Sequence, residues 1–169
     1  MPNRTKRLVF LSLLVSLSLI LSYIESTLPP LYPNVPGVKI GFANVIVLIA
    51  LYLFSHREAF VISLVRVFIS ALMFGSGVSL IYSLCGAVIS LAVMVIFKKT
   101  RLFSVVGVSI TGAVFHNFGQ IIAAVIILEN VYVGYYMASL FITGTIAGIL
   151  TGLAGAGAMK ILERINLKH

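Results

Sequence analysis

Six apolar runs follow one another along the chain with only short polar breaks between them: Leu8–Ile24, Ile40–Phe54, Ala59–Phe74, Val78–Phe97, Ser104–Leu128 and Val133–Met159. A helix needs about 20 mainly apolar residues to cross the roughly 30 Å hydrocarbon core of a bilayer. Inside hydrocarbon every backbone polar group must be bonded within its own segment, so such runs fold as helices. The second and third runs are short, which a small tilt or a locally thinned bilayer accommodates. The pattern predicts an all-α, polytopic membrane protein: one integral membrane domain over residues 1–169, built as a bundle of six transmembrane helices. Only 9% of the residues are charged and none is Asp or Trp, against about a quarter charged in a soluble domain. That composition excludes a soluble globular fold, a disordered chain and a disulfide scaffold.

The formal charge is +8, but its placement argues against nucleic acid as a partner. With a cytoplasmic N-terminus and six helices, Arg4, Lys6, Arg7, Arg57, Lys98, Lys99, Arg101, Lys160, Arg164 and Lys168 all fall inside. Lys39 then lies outside and Arg66 within a helix. Basic residues gathered on one face set the orientation of membrane proteins. The expectation is a multi-pass protein of the bacterial cell membrane with both termini cytoplasmic and lipid around it. Residues 8–24 follow basic residues as a secretory leader would, yet no A-x-A-like cleavage site follows them, so they are read as the first membrane helix. The single Cys85 falls in the fourth run and reads as a packing residue.

The longest connector, 25–39, holds Pro29, Pro30, Pro33 and Pro36. Proline lacks a backbone donor and fixes φ, so this outer loop is no ordinary helix. Its apolar Leu28, Leu31, Tyr32 and Val35 suit a cap over the bundle, or else a stiff spacer. In the sixth run Gly144, Gly148 and Gly152 recur every four residues, and Ser12 and Ser16 do so in the first. Small residues at that spacing let helix backbones approach closely. Each stripe serves either internal packing or the docking of a separate membrane subunit.

Polar side chains within a membrane are costly and usually face a cavity or a partner. Arg66 stands midway along the third run, His116, Asn117 and Gln120 cluster in the fifth, and Asn44 lies near the outer end of the second. Glu25 and Lys39 flank the proline loop. On the inferred topology these groups converge on the outer half, as a cavity open outward and closed beneath would require. There Arg66 suits a carboxylate, phosphate or polarised carbonyl, with the amides and imidazole orienting the rest of a small solute. The bland alternative for each is a structural bond between helices.

Catalytic signatures are missing. The sequence has no G-x-x-x-x-G-K-[ST] phosphate loop and no Asp-rich magnesium motif, and its one Cys and three His offer no closed metal site. Ser76 and His116 fall at different depths and make no nucleophile–base pair. The expectation is a protein that is not itself an enzyme and needs no cofactor.

Pro36-Gly37-Val38-Lys39-Ile40-Gly41-Phe42-Ala43-Asn44 resembles the P-G-V-K-x-G-x-A-N stretch of the bacterial Gx transporter family, also called heptaprenyl diphosphate synthase component I. Ser63–Arg66, Tyr82–Gly86 and His116–Gln120 are similar to its other recurring stretches; Cys85 departs from the small residue expected there. The resemblance spans nearly the whole chain. It implies a six-helix fold like the substrate-binding S components of energy-coupling factor transporters, which bind a vitamin-like solute near the outer face beneath the first outer loop. It further implies docking through helix one onto a transmembrane coupling subunit that carries two ATPases. Ser12 and Ser16 are the nearest match to the A-x-x-x-A docking pattern, with serine in place of alanine. The leading expectation is therefore a solute-binding subunit of a transporter, for a flavin, quinone precursor or other ring-bearing metabolite. The alternative is a non-catalytic membrane partner of a polyprenyl diphosphate synthase.

Overall fold

The computed structural model describes residues 4–29 and 41–166. Six α-helices follow in order: α1 Arg4–Thr27, α2 Asn44–Leu53, α3 His56–Phe74, α4 Gly77–Thr100, α5 Val105–Leu128 and α6 Met137–Asn166, with a 3-10 segment at Val131–Tyr136 before the last. The proline-rich stretch 30–40, and with it the expected cap and Lys39, lies outside the described residues. Four helical segments are long and apolar enough to cross a membrane: Arg4–Thr27, Gly77–Thr100, Val105–Leu128 and Val131–Leu162.

The helix ends depart from the apolar runs for local reasons. α2 starts at Asn44 rather than Ile40 because Gly41, at φ +90°, and the turn after it precede the first helical residue. Polar Ser55 to Glu58, ahead of the third apolar run, caps and starts α3: the Ser55 hydroxyl accepts from Arg57 N–H at 3.2 Å and pairs with the Glu58 carboxylate. The S-x-x-E spacing is the one seen at helix starts. Arg7 of α1 pairs with the same Glu58. Ser76 and Ser104 cap α4 and α5 by accepting from Ser79 and Gly107 N–H at 3.1 and 3.2 Å. α4 runs on through Lys98 and Lys99, where cations complement the negative end of the helix dipole.

α2 is the centre of the bundle. Ile46 through Leu51 are all buried, and a helix apolar on every side belongs inside a core. Around it Leu14, Ala59, Ile62, Leu91, Met94, Val108 and Met159 complete one apolar cluster. A second, formed by Tyr82, Ile121, Ala123, Ala124, Val133 and Leu140, fills the space between α4, α5 and α6. Outward-facing Leu8, Leu13, Phe68, Ile96, Ile126, Phe141 and Leu153 leave the bundle clad in apolar side chains.

α5 holds its neighbours at close range. A Cβ on Gly119 would lie 2.8 Å from Cys85 O, and one on Gly86 2.8 Å from His116 O, so α4 and α5 nearly touch backbone to backbone. On the other side, Cβ atoms on Gly144, Gly148 and Gly152 would meet the Cα atoms of Val114, Ile110 and Val106 at 3.3, 2.5 and 2.8 Å. Of the two uses foreseen for the α6 glycine stripe, internal packing is the one realised. α5 fills it and leaves no open track for a partner there. Ser109 and Thr151 add a buried hydroxyl pair at 2.9 Å between the same helices.

The chain direction brings the basic residues together. Arg7 meets Glu58 near the starts of α1 and α3, and Tyr23 stacks edge-on with Phe74 near their ends, so these helices run parallel. Lys98 at the end of α4 donates to Leu51 O at 2.6 Å, and Lys160 of α6 shares a recess with Tyr52 and Leu53. One end of the bundle is thus the basic end, and Glu25 and Asn44 mark the other.

Candidate functional site

Near that second end, polar side chains from four helices meet. Gly41, just before α2, donates its N–H to the Glu25 carboxylate from the last turns of α1. One turn on, Asn44 presents its carbonyl to Arg66 Nη2 of α3 at 3.3 Å. A Cβ on Gly41 would fall 2.6 Å from Asn44 Nδ2 and 3.6 Å from the His116 ring, so glycine here leaves room for both side chains. On α4, a Cβ on Gly86 would press at 3.0 Å on both His116 Cε1 and Gln120 Cγ. Glu25, Asn44, Arg66, His116 and Gln120 therefore form one connected set, with two glycines making its space.

Four of the five are buried, Glu25 at 7%, Arg66 at 5%, His116 at 2% and Gln120 at 0% relative exposure, and Asn44 is half-buried. Yet several of their atoms meet no hydrogen-bond partner among the described residues, namely both amide atoms of Gln120, Asn44 Nδ2 and Arg66 Nε. Buried polar atoms are nearly always bonded, and an orphan costs about 1–3 kcal/mol. Ser22 Oγ on α1 and Asn117 Oδ1, toward α6, are two further orphans, while these four atoms belong to the cluster. They supply three donors and one acceptor, a set suited to a ligand bearing carbonyl or anionic oxygen together with one donor.

Asn117 is placed apart from this set. Its Nδ2 donates to Leu140 O of α6 at 2.9 Å and sits over Gly144. One residue of helix rotation, 100°, turns it from α4 toward α6. Asn117 thus bonds α5 to α6, and the cluster expected in the fifth run is divided between two neighbouring helices. Lys39 falls outside the described residues. Ser12 and Ser16 are exposed on α1 and bond back to Leu8 O and Ser12 O at 2.9 and 3.0 Å. They line an apolar groove of about 630 Å³ between α1 and α3, with Leu11, Val15, Val61 and Val65.

Sequence reasoning gave no role to Gly41 and Gly86, although both stand in the stretches that carried the family resemblance. The signal was present: a glycine three residues before Asn44, and another in a membrane helix.

The fold and the buried cluster define a class: a small all-helical bundle, clad in apolar residues, that keeps charged and amide side chains inside itself. Residues 14–158 match the family model for heptaprenyl diphosphate synthase component I, and the chain belongs to that family. Neither a curated protein nor a solved structure matches it.

Proposed function

We propose that the chain is a non-catalytic membrane subunit that serves a polyprenyl diphosphate synthase. The family match over residues 14–158 carries this reading. Such a subunit supplies no reacting groups of its own; its apolar cladding keeps it in the bacterial cell membrane, basic end toward the cytoplasm, beside an enzyme whose product is a lipid. The test is affinity purification of the tagged chain from its native membrane. The expected result is retention of an Asp-rich prenyl synthase, with altered product chain length or yield when the pair is separated. Recovery of an energy-coupling transmembrane subunit with ATPases, and no synthase, would overturn it.

A second reading is favoured by one observation, the gathered orphan atoms of Gln120, Asn44 and Arg66. It makes the chain an S-component-like binder of a small solute, held in the outer half by Arg66, Asn44, Gln120 and His116. Mass spectrometry of small molecules released from the purified protein identifies the solute. Arg66→Ala and Gln120→Ala are then each expected to weaken its binding about tenfold or more, as loss of a hydrogen bond from a buried site does. Unchanged affinity in both variants would remove the site.

A further inference from the structure

The basic end of the bundle holds a recess of about 380 Å³, enclosed where α2 ends, α3 begins and α4 ends. Leu51, Phe54 and Val95 form its apolar wall, and His56, Lys98, Lys99 and Arg101 contribute the polar rim. Ser55 completes the lining, and among the described residues no acidic side chain joins it. The nearest carboxylate in sequence, Glu58, is engaged by Ser55 and Arg7. Lys98 is held in place by Leu51 O at 2.6 Å and by the Tyr52 ring, 4.8 Å from its ammonium. Its charge is therefore fixed at the recess rather than swinging in solvent. The space equals about a dozen waters at ~30 Å³ each, room for a phosphoryl or diphosphoryl group.

The residue that closes α4 is the most informative. Arg101 has φ 57°, in the left-handed region. Glycine is the ordinary occupant of that position at a helix end, because a Cβ there is unfavourable. Glu129 closes α5 in the same conformation, at φ 48°, so what sets Arg101 apart is its place at the rim of a cationic recess. Orientation alone would be served as well by Lys99 or by any basic residue nearby.

We propose that this recess binds the phosphoryl head of a membrane amphiphile, with Lys98, Lys99 and Arg101 as the cationic ligands. Basic pockets between helices at a membrane surface bind lipid phosphates in this way, and an apolar wall beside the charges suits a group that carries a chain. The site lies at the opposite end of the bundle from the buried cluster and does not depend on what that cluster holds.

Binding of phosphatidylglycerol, phosphatidylcholine and inorganic diphosphate to the full chain in detergent tests the proposal. Lys99→Gln with Arg101→Gln is expected to weaken binding of the phosphoryl probe about thirtyfold. Arg4→Gln with Lys6→Gln removes equal charge from the same end outside the recess and is expected to change it less than about threefold. Arg101→Gly guards against misfolding. It relieves the left-handed strain, so the protein should melt no lower, while binding still falls about fivefold. Phosphatidylglycerol binding without diphosphate binding assigns the site to a lipid headgroup; diphosphate binding alone assigns it to a free diphosphoryl group. Equal weakening by both double variants, or no probe binding above phosphatidylcholine, overturns the proposal.

Discussion

Gly148→Val disrupts the bundle. A Cβ at this position stands 2.5 Å from Ile110 Cα and 3.1 Å from Ile110 N, and these are backbone atoms that no rotamer change can move aside. α5 and α6 must part, which loosens Gly144 against Val114 and Gly152 against Val106 along the same line. Overpacking usually costs 1–3 kcal/mol, and here the branched side chain adds atoms to an already impossible contact, so a loss of about 3 kcal/mol or more is expected. Gly157→Ala is the matched control, since nothing lies within 4 Å of its Cβ. There the better helix propensity of alanine predicts a gain of up to about 1 kcal/mol. Thermal unfolding followed by circular dichroism, with size-exclusion profiles, compares the two. Similar melting temperatures for both variants would contradict the packing described for α5 and α6.

Arg66→Met has the second large effect, through charge instead of volume. Methionine takes the donor from Asn44 Oδ1 and removes a buried cation from a cluster in which Glu25 is also buried. A buried acceptor left without its donor costs about 1–3 kcal/mol, and loss of a buried cation near a second buried charge adds to that. Adding Glu25→Gln to Arg66→Met removes the buried carboxylate charge and keeps an acceptor for Gly41 N–H. The double variant is therefore expected to be more stable than Arg66→Met alone, with a coupling of about 1–3 kcal/mol. Strict additivity of the two substitutions, measured by denaturant titration in detergent, would show that Glu25 and Arg66 act independently.

Both predictions depend on features that differ in how far they can be read from the chain. The six helices are legible because long apolar runs have one stable form in hydrocarbon, and the gathering of basic residues at one end follows from their alternation with those runs. The burial of Arg66, His116 and Gln120 is legible for a related reason. A charged or amide side chain in the middle of such a run has few places to go except inward. The start of α3 lies ahead of its apolar run because Ser55-His56-Arg57-Glu58 is polar, and a capped first helical turn is as polar as a loop.

What a linear pattern leaves open is direction around each helix axis. Asn117 and Gln120 look alike on paper, three residues apart on one helix, yet Asn117 meets α6 and Gln120 meets α4. Two neighbours divide the surface of α5, and only their positions determine which amide belongs to which. The glycine stripe of α6 has the same ambiguity: its spacing fits an internal or an external helix equally, and the approach of Ile110 decides for the internal one. Sequence by itself determined the class, the helices and the set of polar side chains kept from lipid, since hydrophobicity and backbone hydrogen bonding act locally. Tertiary structure alone decided which of them meet, because distance between residues far apart in the chain is set by how whole helices pack.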